Sequence, residues 1–128
     1  MGRRRRRRVG DRLMLRGEIR VVDLDPARTG EAAKRRPAVI VSNDGANTTA
    51  ARLGHGVVTV VPVTSSVDRV FPFQVLIPAV ESGRARDSKA QAEQVRAVSV
   101  DRVAEQVGSV PAELMLEVDE ALRLHLGL

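Results

Sequence analysis

Cysteine is absent from the 128 residues, which excludes disulfides, a thiolate nucleophile and a thiolate metal site. Tryptophan and tyrosine are missing too, leaving Phe71 and Phe73 as the only aromatic residues. Their i, i+2 spacing puts both on one side of a strand, where they fit a core or a dimer interface better than a stacking platform. No window reaches the run of about eighteen apolar residues that a membrane span needs. The two histidines do not suggest a paired mechanism. His55 sits between glycines, and His125 lies in the last turn of an expected helix, where a cation is favoured for simpler reasons. With scattered acids they form no recognisable metal spacing, so neither a metal nor a cofactor is expected.

A net charge of +5 at first suggests a polyanion ligand, but its distribution undoes that reading. Arg3 to Arg8 supply six positive charges, one more than the whole excess, so the other residues sum to −1. Six adjacent like charges repel one another, which predicts a disordered tail over residues 1–13. It is not a secretory or twin-arginine signal, because Val9-Gly10-Asp11-Arg12 stands where an apolar region is required. The folded domain is expected over residues 14–128, with Met14 as a candidate natural start, and the length suits one modest core.

Glu18 to Leu24 alternates charged and apolar residues as a half-buried strand does. Residues 25–34 form a polar loop long enough to be functional. A second strand spans Pro37–Ser42, a helical turn is possible over Asn47–Ala51, and Val57–Val63 is a strongly β-branched third strand. Phe73–Ile77 is a fourth, bounded by Pro72 and Pro78. Lys89–Ala92 and Val95–Val100 read as two short strands. Pro111 then opens a helix with Leu114, Val118, Ala121 and Leu122 on one face, ended by Gly127. Short strands at tight spacing with one late helix predict a mainly β, α+β fold: a small antiparallel barrel with a C-terminal helix.

The most informative stretch is Lys34-Arg35-Arg36-Pro37-Ala38-Val39-Ile40-Val41-Ser42-Asn43-Asp44. Pro37 pushes Arg36 into an extended conformation. A permanently charged, planar donor then stands at the mouth of an apolar strand, as a phosphate-handling site needs. An arginine guarding a strand edge would look the same.

Three other segments accompany it: Leu15-Arg16-Gly17-Glu18-Ile19-Arg20-Val21-Val22-Asp23-Leu24-Asp25-Pro26 followed by Gly30-Glu31, then Val57-Val58-Thr59-Val60-Val61-Pro62-Val63-Thr64-Ser65, then Lys89-Ala90-Gln91-Ala92-Glu93-Gln94-Val95-Arg96. In this order and spacing, from Met14 onward, the chain resembles the MazF/PemK/Kid family of toxin endoribonucleases. The resemblance implies an SH3-like barrel that dimerises, cytoplasmic action on single-stranded RNA, and a cognate, MazE-like antitoxin with a largely disordered acidic segment.

Metal-free RNA cleavage needs a base for the ribose 2′-hydroxyl, a cation for the crowded phosphorane and a donor for the departing oxygen. Arg36 suits the cation, since its fork holds two phosphate oxygens, and the resemblance makes it catalytic. Thr64 ends the third strand, where it could hydrogen-bond its own turn; the family carries a catalytic threonine there. Glu31 matches a family glutamate five residues before the Arg-Pro pair and is favoured as the base over Glu93, which stands where a relative has a functional aspartate. Ser42, Asn43 and Ser65 are candidate RNA-reading groups, with Glu93, Gln94 and Arg96 implied as groove residues. Two alternatives remain: a gyrase-poisoning toxin of the same fold, which has no need of Arg36 and Thr64, and a non-catalytic RNA-binding barrel.

Overall fold

The computed structural model describes residues 14–25 and 34–128. The expected arginine tail and Glu31 lie outside the described residues. Within them the order is β1 (Glu18–Asp25), β2 (Lys34–Ile40), α1 (Asp44–Leu53), β3 (Val57–Thr64), β4 (Gln74–Ile77), α2 (Ala79–Ser82), β5 (Ser88–Gln91), β6 (Arg96–Ser99), β7 (Val103–Ser109) and α3 (Ala112–Leu126), with 3₁₀ turns before β6 and β7.

The seven strands form one antiparallel sheet in the order β4-β5-β3-β2-β1-β7, with β6 also pairing β3. The mainly β reading with a C-terminal helix therefore matches, but the sheet does not close: β4 and β7 end it and do not pair. β2 and β3 lie at its centre, joined at Ala38↔Pro62, Val39↔Val61 and Ile40↔Val60. On its other edge β3 pairs β6 from Val57↔Ser99 to Val60↔Arg96, then changes to β5 at Val63↔Ala90 and Thr64↔Lys89. Pro62 falls in that changeover, where its missing N–H leaves no ladder bond unmade.

The uninterrupted apolar runs of β2 and β3 are explained by burial on both faces. Val39, Val41, Val61 and Val63 pack with Met115, Val118 and Ala121 of α3. Ala38, Ile40, Val58 and Val60 pack on the other face with Ala50 and Ala51 of α1, Val98 and Met14. Alternate side chains thus feed two cores, as the strand pleat dictates. Arg16 fastens the layers together. Its backbone N–H donates to Asp44 Oδ1 at 2.6 Å, its Nε donates to the Val41 carbonyl at 2.8 Å, and its Nη2 pairs with Asp119 of α3.

Several elements differ from the sequence reading: β2 spans Lys34–Ile40 instead of Pro37–Ser42, and the short helix α2 is additional. The helical turn expected at Asn47–Ala51 is a ten-residue helix, capped by Asn43 at one end and by Gly54 in the left-handed region (φ 75°) at the other. β7 was not expected at all, because Val103–Ser109 is an edge strand of half-buried and exposed residues with weak alternation.

Met14 is 3% exposed, so the packed body includes it. Removing residues 1–13 is expected to move the thermal midpoint by less than about 2 °C. Met14→Ala should cost about 2–5 kcal/mol in a denaturant melt. Loss of cooperative unfolding on the deletion alone would put the fold boundary upstream of Met14.

Candidate active site

The β2–β3 pairing ends at Ala38↔Pro62. Arg36 lies two residues beyond Ala38, paired with Val22 of β1, and Thr64 two residues beyond Pro62, and the two line one cavity. Side chains two apart on a strand share a face, so Arg36 stands on the face of Ala38 and Thr64 on that of Val60, beyond the end of the core packed there. Lys89 is the next residue in this row, paired with Thr64 from β5. Its Nζ donates to the Arg69 carbonyl at 2.6 Å and holds the 65–73 loop against the sheet.

A cavity of about 380 Å³ opens here, lined by Arg36, Pro37, Val63 and Thr64 of β2 and β3, by Ser65 after β3, by residues 84–87 from the connection between α2 and β5, and by Ser88 of β5. That volume lies toward the small end of ligand pockets. Three guanidinium groups line it, those of Arg36, Arg84 and Arg86, and none forms an ion pair among the described residues. The one carboxylate in the lining, Asp87, accepts the Ala79 N–H through Oδ1 at 2.8 Å. The cavity therefore carries uncompensated positive charge, which focuses an anionic ligand into it.

Thr64 does what a strand-end threonine ordinarily does, accepting the Ser66 N–H on Oγ1 at 3.2 Å. That bond uses a lone pair and leaves the hydroxyl proton to donate elsewhere. Two further polar atoms on the cavity residues, Arg84 Nη1 and Ser88 Oγ, are buried with no hydrogen-bond partner among the described residues, an arrangement that costs about 1–3 kcal/mol per group.

Of the sequence candidates among the described residues, Arg36, Thr64 and Ser65 meet in this cavity and Ser42, Asn43, Glu93, Gln94 and Arg96 do not line it. Ser42 and Asn43 lie past the far end of β2, six residues and ~20 Å along an extended chain from Arg36. Their side chains serve the fold. Asn43 Oδ1 accepts the Ala46 N–H at 2.8 Å as the cap of α1. Ser42 Oγ accepts the Thr59 N–H at 3.0 Å and bonds Asn47 Oδ1 at 2.5 Å. Glu93 sits in the 3₁₀ turn, where its Oε2 accepts from Gln74 Nε2 at 2.8 Å while Oε1 is buried without a partner. Gln94 and Arg96 are exposed on the same side of β3 and also lie outside the cavity lining.

Sequence reading missed Arg84, Arg86, Asp87 and Ser88. Their arrival beside Arg36 is a tertiary event, though the basic run Arg84–Lys89 was a visible signal. The aromatic pair also differs from expectation. Phe71 is 40% exposed and so outside the core. It stacks on Phe73 at 5.4 Å between centroids, with the Arg69 guanidinium 5.5 Å above its ring.

A small β-rich domain with an unneutralised arginine cluster beside a strand-end hydroxyl belongs with proteins that bind a phosphodiester. Residues 15–126 match the family described as PemK-like, MazF-like toxin of type II toxin-antitoxin system. The chain belongs to that family. It is similar to the endoribonuclease MazF9 of Mycobacterium tuberculosis, 57% identical over 116 residues that cover 91% of this chain and 98% of the relative. Among solved structures it resembles the MazE-MazF crystal structure (Form-III) from Deinococcus radiodurans, with a TM-score of 0.71, 27% identity and coverage of 91% and 98% of the two chains. It also resembles an endoribonuclease in complex with its cognate antitoxin from a mycobacterial species, with a TM-score of 0.66, 26% identity and coverage of 90% and 96%.

The cap and the Ser42 network give a direct check on their structural role. Ser42→Ala takes the side-chain acceptor from the Thr59 N–H and the donor from Asn47 Oδ1 and should destabilise the fold by about 1–3 kcal/mol, with the cleavage pattern of the remaining folded protein unchanged. An altered recognition sequence without loss of stability would return Ser42 to the RNA-reading surface.

Proposed function

We propose that this chain is the toxin of a type II toxin–antitoxin pair and acts as an endoribonuclease on single-stranded RNA. The observation that carries this reading is the presence of Arg36 and Thr64 in one cavity lining: a guanidinium without a counter-ion among the described residues and a hydroxyl with a proton to donate, each just past the paired core of β2 and β3. Rigid elements hold such groups to the tolerance that catalysis needs.

In this reading the ribose 2′-oxygen attacks the adjacent phosphorus, the bond from phosphorus to the 5′-oxygen breaks, and a 2′,3′-cyclic phosphate and a 5′-hydroxyl remain. The 2′-hydroxyl proton passes to a base and the departing 5′-oxygen takes one up. Arg36 grips the non-bridging oxygens with its two-pronged donor as charge builds on them. Thr64 donates its remaining proton to the same group. Glu31 is the proposed proton acceptor, on the strength of its offset from Arg36-Pro37. No step requires a divalent ion, and among the described residues no three His, Asp or Glu side chains gather as a metal site would need.

The partners proposed are a second copy of the chain and an antitoxin. Leu116 and Leu124 of α3 are exposed beside Pro72 and Val75, an apolar surface suited to being covered. No described helix is long and apolar enough to cross a membrane, and action in the cytoplasm, where transcripts are, fits the proposal.

Arg36→Ala should abolish RNA cleavage with the thermal midpoint nearly unchanged. Arg36→Lys should lose about a hundredfold or more in rate, because an ammonium cannot make the bidentate contact. Near-native cleavage by the lysine variant would remove the planar fork from the mechanism. End-group analysis of the products supplies a second check: cleavage in excess chelator should leave 2′,3′-cyclic phosphate and 5′-hydroxyl ends. Ends bearing 3′-hydroxyl and 5′-phosphate would mean that water attacked phosphorus, contrary to this mechanism.

A further inference from the structure

Arg84 lines the Arg36 cavity from the segment after α2, and its path is constrained by β7. A Cβ on Gly108 would stand 2.8 Å from Arg84 Cγ and 2.9 Å from the Ser82 carbonyl oxygen. Residue 108 must therefore be glycine for the arginine shaft to cross the strand where it does. At the end of that shaft the guanidinium is half-buried and meets no carboxylate among the described residues, and Nη1 is buried without an acceptor. Ser88, only 2% exposed, lines the same cavity with an unpartnered Oγ. A fixed cation and a hydroxyl that both lack an acceptor, in the lining shared with Arg36 and Thr64, are matched by one ligand chemistry: a tetrahedral oxyanion with several acceptor oxygens.

We propose that Arg84 and Ser88 form a second phosphate subsite, which holds the backbone phosphate next to the scissile one. This rests on the endoribonuclease reading above. A strand of RNA with one phosphate on Arg36 and Thr64 must carry its neighbouring phosphates along the cavity wall, and Arg84 is the guanidinium held in place there. Arg86, being exposed, lacks that fixation. Arg84 binds and positions; it takes no part in bond making. Gly108 is a positioning residue that acts through it.

The experiment is steady-state cleavage of a single-site RNA oligonucleotide by the full chain, its Arg84→Gln variant and its Gly108→Ala variant. The RNA is used unmodified and with one neutral methylphosphonate at each phosphate flanking the scissile bond. Arg84→Gln should raise KM about tenfold or more with kcat within about twofold. The salt dependence of kcat/KM should flatten by roughly one phosphate contact, about 0.7 in slope for a single strand. At one flanking position the methylphosphonate should impose the same loss on the native protein and no further loss on Arg84→Gln. Gly108→Ala should reproduce the KM effect. The neutral-phosphate arm uses the native chain, so it reads the contact even if a variant fails to fold. Equal penalties on native and Arg84→Gln protein at both positions, or an unchanged KM, would overturn the subsite while the nuclease reading stood. Unchanged RNA kinetics with weakened inhibition by an antitoxin would likewise overturn it, assigning Arg84 to the protein partner. A native chain that cleaves no RNA would bring down both.

Discussion

The register of β2 on β3 is the constraint on which the site depends. Val39↔Val61 and its neighbours are locked because both faces of both strands are buried. A slip of one residue would exchange the two cores and strand apolar side chains on the wrong faces. Arg36 and Thr64 lie two residues past the last pair of that lock and are held by the neighbouring strands, Arg36 opposite Val22 and Thr64 opposite Lys89. Pro62 fits within the same logic. It sits where β3 exchanges one partner strand for another, so the central strand keeps its pairing without the N–H that proline lacks.

The second theme is charge left unneutralised at the end of that ladder. Some arginines outside the cavity are paired, Arg16 with Asp119, Arg20 with Glu18, Arg35 with Glu105 and Arg123 with Glu120. Around the cavity none is paired among the described residues, and Asp87 is turned to a backbone N–H instead. Clustered guanidinium groups repel one another, and orphaned donors reduce stability, so a fold retains them where a ligand supplies the missing acceptors. The glycine at 108 belongs to the same account, because it gives up a side chain so that Arg84 can cross β7. A bound polyanion would relieve the repulsion and satisfy the donors together.

Much of this was legible in the sequence where the signal is local. Pro37 followed by Val39-Ile40-Val41 marked a strand, although it begins at Lys34 and carries Arg36 within it rather than at its mouth. The β-branched run ending at Thr64 marked its partner, and Pro111, the apolar face and Gly127 delimited α3. What escaped was of two kinds. β7 carries little alternation because it is a half-exposed edge, so its pattern is weak for a physical reason. The meeting of Arg84 and Ser88 with Arg36 depends on β5 pairing β3, a long-range event with no periodicity to betray it. Ser42 and Asn43 were a misjudged local signal: a small polar residue followed by Asp44 and Gly45 is a helix start as readily as a recognition loop. The acids were the hardest to place. Glu93 is bound to Gln74 away from the cavity, a partnership that sequence spacing cannot express.

The most direct test of the central claim is a crystal structure of the protein with a cleavable-site RNA whose scissile nucleotide is 2′-deoxy, so that the attacking hydroxyl is missing and the strand stays whole. The account requires the scissile phosphate to lie in the cavity, with non-bridging oxygens about 2.7–3.0 Å from the Arg36 guanidinium and from Thr64 Oγ1. A scissile phosphate bound elsewhere, with Arg36 and Thr64 free of it, would contradict the account at its foundation.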